Sequence, residues 1–499
     1  MHLQEALKRL EALEKKLYAY GHALGVLSLD SLTCAPSASS AARGETLDVL
    51  SQAHYALLVD PQTTELLAEL SQRREELTPA QNRRVELLQE DHDDMTRIPM
   101  EEYTAYARLC NDADAAWHQA KPASDFARFA PYLEQLVDFQ RRFAGYKDAS
   151  RAPYDVLLDQ YEKGASVAML DPYFAALRDQ LTPLIQAVSQ KPAPDASFLH
   201  QRFPLASQRL FSQRLMALMG IDPARCVIAE TEHPFTEGFN RWDVRITTHY
   251  DENDVGSSMY SVIHEGGHAL YELGVAEEWQ FTRLAGGSSM GIHESQSRFY
   301  ENLIGRSLPF CRSLLPAMQE CFPQQMRGVT AEALYRAVNV AQPSLIRTEA
   351  DELTYALHIM VRYELEKQLI GGTLAVRDLP AAWNDMYRKY LGVEVPDDRR
   401  GVLQDSHWSG GAFGYFPSYA LGSAYGAQML RRMEQEVDVW GAAERGDLSP
   451  VNAWLREKIH RHGQLLTPGE LLENACGGPF DPECYVSYLT DKYTALYEL

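Results

Sequence analysis

The sequence predicts a mostly α-helical protein with one small β element. Apolar residues return every three or four positions through most of the chain. Only residues 227–249, VIAETEHPFTEGFNRWDVRITTH, replace that rhythm with β-branched alternation, which reads as a short hairpin or small sheet. The breaks between helical stretches are short, so one large domain over 1–499 is expected.

The first helix spans 3–19, where Leu3, Leu7, Leu10, Leu13 and Leu17 form one stripe with charges between them. Successive amphipathic stretches follow at 41–58, 64–76, 80–95, 100–119, 124–145, 168–189 and 206–218, then at 330–339, 349–370 and 451–463. Proline-rich polar breaks near 190–196 and 394–399 read as loops between helices. Residues 401–426, rich in glycine and aromatics, read as an ordered loop leading into a helix.

A length of 499 residues needs more than one small core. The net charge of −22 argues against nucleic acid and anionic membrane as partners, since both need a basic face. The start is an amphipathic helix with no apolar signal region, and no run of 18 apolar residues suggests a membrane span. The seven cysteines are odd in number and scattered, with no C-x-x-C pair, which fits buried free thiols in a reduced, cytoplasmic setting.

Chemistry concentrates at residues 261–272, SVIHEGGHALYE. His264 and His268 are four apart, so a helix puts both imidazoles on one face, where they can grip one ion. Glu265 stands one step round, placed to activate water beside the metal without binding it. Chance alone gives H-E-x-x-H in roughly a few per cent of such chains. Its apolar lead-in, Met259 to Ile263, makes the helical context right. Gly266 and Gly267 each cost a helix about 1 kcal/mol against alanine, tolerable where something must pack close.

A hydrolytic zinc site keeps three protein ligands and one open position. The third ligand is expected at Glu294, which opens a helical pattern in GIHESQSRFYEN at 291–302. His293, Glu301 and Glu272 compete for that role, and Glu301 could instead support a ligand histidine. Arg298 follows Glu294 by one turn, where thermolysin-like sites often place a carboxylate. No histidine lies six residues after His268, so the metzincin pattern is absent.

Five segments resemble the carboxypeptidase Taq family of metallocarboxypeptidases: EHPF at 232–235, DVRIT at 243–247, HEGGH at 264–268, HESQ at 293–296 and IRTEAD at 346–351. A sixth, QDSHWSGGAFGYFPSYALG at 404–422, strengthens the likeness, and weaker segments at 98–109 and 154–164 extend it over nearly the whole chain. The family's usual tryptophan–aspartate pair is replaced by Leu29-Asp30. The resemblance implies an all-α fold with a deep central groove, like angiotensin-converting enzyme and neurolysin. It implies zinc, with cobalt able to substitute, a homodimer, and release of C-terminal amino acids from peptides with broad specificity. It also assigns His264, His268 and Glu294 as ligands and Glu265 as general base.

Peptide hydrolysis further needs donors for the oxyanion and, in an exopeptidase, a reader of the free carboxylate. His407, Tyr415 and Tyr419 are the candidates for the first task. Arg347, then Arg245, are the candidates for the second, because a guanidinium matches a carboxylate in shape and charge. Two other readings use the same residues: a zinc endopeptidase or dipeptidyl-peptidase, and a non-catalytic metal-stabilised scaffold. Structural zinc sites are usually closed by four ligands, often cysteines, and no cysteine is near.

Overall fold

The computed structural model describes residues 2–499. The helices expected from periodicity appear as Leu3–Thr33, Ser40–Val59, Pro61–Gln72, Pro79–Thr96, Met100–Ala123, Phe126–Asp148, Val167–Ser189, Leu205–Leu218, Ala331–Val338, Glu352–Gly371 and Ser449–Lys458. The first runs well past residue 19. Gly21 and Gly25 weaken it locally, but Gly25 sits against Phe239 of the sheet, with 3.0 Å from its would-be Cβ to the ring, and this packing favours continuation. Further helices at Leu308–Cys321, Leu379–Leu391 and Glu483–Tyr497 lay outside the periodic stretches. Glu483–Tyr497 buries Tyr485, Val486, Leu489, Tyr493, Leu496 and Tyr497, a face that mixes tyrosines with aliphatics and that an apolar count underweights.

Residues 226–248 form three strands: β1 (Cys226–Glu230), β2 (Thr236–Asn240) and β3 (Asp243–Thr248). Their order is β1-β3-β2, with β1 parallel and β2 antiparallel to β3. The β2–β3 pair is the expected hairpin; β1 joins on the far side. Val244 and Ile246 are buried, and Arg245 between them points to the other face.

A small cluster holds the N-terminal helices together, including Leu7, Leu10, Leu66, Leu67, Leu70 and Leu88. The main core runs from Leu109 to Tyr497 and surrounds one helix, Val255–Gly274. That helix carries His264 and packs on β2, β3 and the helix Met290–Arg298, which carries Glu294. Among the described residues no helix is long and apolar enough to cross a membrane.

Candidate metal centre and active site

Both central helices start on side-chain caps. Asp254 accepts from the backbone N–H of Gly256 and Ser257, and Ser289 accepts from Ile292. The two glycines of the motif then differ in purpose. A Cβ at Gly267 would stand 2.5 Å from the carbonyl oxygen of Gln296 and 2.7 Å from the Cα of Ser297. A Cβ at Gly422 would stand 2.7 Å from the Cβ of Glu294. Glu294 therefore lies where three helices meet at glycine-only distances, since Gly422 belongs to the helix Pro417–Met433. Gly266 faces only side-chain ends, those of Met219 at 2.7 Å and Ile221 at 3.1 Å.

This sets an expected contrast in thermal unfolding. Gly267→Ala forces backbones apart and should cost about 1–3 kcal/mol net. Gly266→Ala should fall near zero, because Met219 can move and alanine favours the helix. Equal melting temperatures for the two variants would contradict this packing.

The geometry around Glu294 is convergent. Its Oε2 lies 3.6 Å from His264 Nε2 and 3.5 Å from His268 Nε2. One donor atom from each of the three residues falls within 4.8 Å of the others. A tetrahedral ion with ligands at 2.0–2.1 Å would hold them about 3.4 Å apart, so the donor set fits such an ion. Both histidines spend Nδ1 elsewhere, leaving each Nε2 toward the shared point. Nδ1 of His264 is 2.8 Å from Glu301 Oε2. Nδ1 of His268 is 2.6 Å from Nδ1 of His293, whose Nε2 is 2.8 Å from Glu272 Oε1. Glu301 and Glu272 thus stand behind the two histidines, on the side away from Glu294 Oε2, where a carboxylate orients an imidazole.

One turn after Glu294, Arg298 donates to Glu294 Oε1 at 2.7 Å and to Glu301 Oε2 at 3.2 Å. Glu301 sits on the π-helical turn Phe299–Ile304, whose wider winding turns it back toward His264. Burial would raise Glu294, but Arg298 and His264 outweigh it and hold the carboxyl well below its usual range. Burial pulls His264 down, yet Glu294 and Glu301 lift it to about 9. His268, beside His293 rather than a second carboxylate, is lowered by burial to about 3. Glu265 is 6% exposed and raised by burial; Thr236 Oγ1 donates to its Oε2 at 2.7 Å.

A second cluster adjoins the first through Tyr355. The Arg298 guanidinium lies over its ring at 4.4 Å, and its hydroxyl accepts from Arg347 Nη1 at 3.2 Å. Arg347 is 6% exposed, donates from Nε and Nη2 to Asp405 Oδ1, and lies 5.1 Å from the Tyr419 ring. Arg362 grips the other oxygen of Asp405. His407 Nε2 is 3.2 Å from the Tyr419 hydroxyl, and Tyr415 packs edge-on to Tyr419. Burial pulls His407 down to about 4. Arg245 is not part of this group. It faces away from the His264 helix, bound through both oxygens to Asp243 and lying over Phe239.

A family model described as Carboxypeptidase Taq (M32) metallopeptidase matches residues 9–493. The chain belongs to the M32 carboxypeptidase family. "Carboxypeptidase 1" of Bacillus subtilis is 40% identical, with all of both chains covered. "Thermostable carboxypeptidase 1" of Pyrococcus furiosus is 34% identical over 98% of each. The crystal structure of the M32 carboxypeptidase from Deinococcus radiodurans R1 superposes with a TM-score of 0.96 at 38% identity, covering 99% of this chain and 100% of that one.

This M32 chain is therefore a metallocarboxypeptidase, a hydrolase of peptide bonds. Its metal-motif helix borders a cavity of about 470 Å³ lined by Tyr18, Asp91, Phe239, Glu272 and Arg283, between the N-terminal helices and the sheet. Glu272 thus joins the histidine pair to a cavity wall. Thr236, Tyr355 and Asp405 were not singled out from the sequence. Thr236 sits one residue past the EHPF segment and Asp405 inside QDSH, so their motifs were visible although their contacts were not.

Proposed function

We propose that this metallocarboxypeptidase holds one zinc ion per chain at His264, His268 and Glu294, with cobalt able to take its place, and releases C-terminal residues with broad specificity. The observation that carries the reading is the approach of both Nε2 atoms to one oxygen of Glu294, beside a buried carboxyl at Glu265. When bound, the ion polarises the scissile carbonyl and acidifies water.

The chain's own residues complete the reaction. Glu265, kept in place by Thr236, accepts the proton of the attacking water and delivers it to the leaving amine. Burial raises its affinity for that proton, which suits a shuttle. The hydroxyls of Tyr415 and Tyr419 donate to the oxyanion, and neutral His407 orients Tyr419.

Arg347 is proposed to read the substrate's C-terminal carboxylate. Asp405 alone answers two guanidiniums, Arg347 and Arg362, so the group favours one more anion. Arg245, matched one-to-one with Asp243, has less charge to offer. The partners are peptides with a free C-terminus, not nucleic acid or membrane; the net charge of −22 supports this. Seven free cysteines support a cytoplasmic setting. The family resemblance supports a homodimer of one domain over 1–499.

The test is a comparison of peptides with free and amidated C-termini, followed by mass spectrometry. Free peptides should lose single C-terminal residues stepwise, and their amides should react roughly ten- to a hundredfold less efficiently. Arg347→Ala should shrink that difference. Equal rates on acid and amide would overturn the carboxylate-reading role and favour cleavage within the chain.

A further inference from the structure

The helix Glu352–Gly371 buries a stripe at His358, Arg362 and Glu366, spaced four apart and each fully covered. Arg362 takes Asp405 and Gln404. Glu366 takes the next part of the same loop. Its Oε1 accepts from Trp408 Nε1 at 2.8 Å, and its Oε2 accepts from the backbone N–H of Gly414 at 2.9 Å and the hydroxyl of Tyr154 at 2.9 Å. Trp408 directly follows His407, and Gly414 directly precedes Tyr415. One buried carboxylate therefore grips both ends of the segment between those two side chains. Gly414 has φ +86°, and a Cβ there would stand 2.7 Å from the backbone of Leu157, so the peptide is held from its other side as well.

We infer that Glu366 is a positioning residue for turnover, fixing His407 and Tyr415 through its bonds to Trp408 and Gly414. The inference rests on the roles proposed above for His407 and Tyr415. It needs all three partners to donate, which only a carboxylate can accept together. A glutamine in its place has one oxygen and one amide. If the oxygen keeps Gly414 and Tyr154, the amide N–H meets the indole N–H of Trp408, two donors facing each other in a buried site.

Steady-state kinetics on a free-C-terminus peptide test this, with metal content measured for every variant. Glu366→Gln should lower kcat on the order of tenfold, with KM within about twofold and metal content at the parent value. Adding Trp408→Phe removes the opposing N–H and should bring kcat back up to the level of Trp408→Phe alone. Failure of the double variant to recover, or a loss in Glu366→Gln that falls on KM alone, overturns the inference. Should Glu366→Gln not fold, Trp408→Phe alone decides: it removes one grip and should lower kcat severalfold at unchanged KM, and parent kcat there rejects the inference. His407→Ala and Tyr415→Phe run alongside. If both keep parent kcat, the roles given to those two residues fail. If they lose it and Glu366→Gln does not, only the positioning by Glu366 fails.

Discussion

Glu265→Gln should give a folded protein with its metal in place and kcat lowered by about 10²–10⁴. The amide has nearly the size of the carboxyl, and Thr236 can still donate to its oxygen, so the local packing survives. What is lost is a group able to take a proton and return it within the same turnover. Glu265→Asp separates charge from placement: it keeps the acid but withdraws it by one methylene, and misplacement on the order of 1 Å can cost 10²-fold. Turnover is read with metal content and circular dichroism on the same samples. Near-parent kcat in Glu265→Gln would falsify the shuttle.

Loss of a ligand should be as severe by another route. His268→Ala removes one donor of three, and the dialysed variant should carry less than about one-tenth of an ion per chain, with turnover gone. Glu294→Gln should behave alike, since it also removes the negative partner of Arg298. Folding stability supplies an independent reading. An ion that binds only the native state raises the melting temperature by mass action, so a chelator should lower it in the parent. In His268→Ala the same chelator should change nothing. Full metal occupancy in either variant would remove those residues from the site.

The metal motif and its partner were legible because both are local. Histidines four apart on an amphipathic helix can be read from spacing, and Glu294 opens the next helical stretch. Glu301 was legible for the same reason, two turns after Glu294. The sequence left other pairings open because they join distant segments. His293 was a rival ligand from spacing alone, and only the packing of its helix against the His264 helix turns it toward His268 and Glu272. Arg347 and Asp405 lie 58 residues apart, so the ion pair that holds the arginine in place could not be seen. Arg245 lies on the strand that pairs with Thr236, but strand alternation sends it to the face opposite Thr236. Its neighbours Val244 and Ile246 carry the packing, while Arg245 answers Asp243 outside.

The meeting of three helices at Gly267, Glu294 and Gly422 also bears on how the protein breathes. Backbones this close leave no room for one helix to slide or fray alone, so opening any of them means parting all three. Amide protons of Ile263, Ser297 and Ala424, all buried within these helices, should exchange with solvent only when the whole fold opens, while those of the exposed chain ends exchange freely. A helix that opened by itself would show exchange faster than global unfolding allows. His264, His268 and Glu294 therefore belong to the slowest-exchanging part of the molecule, and heat should release an ion bound there together with the fold rather than ahead of it.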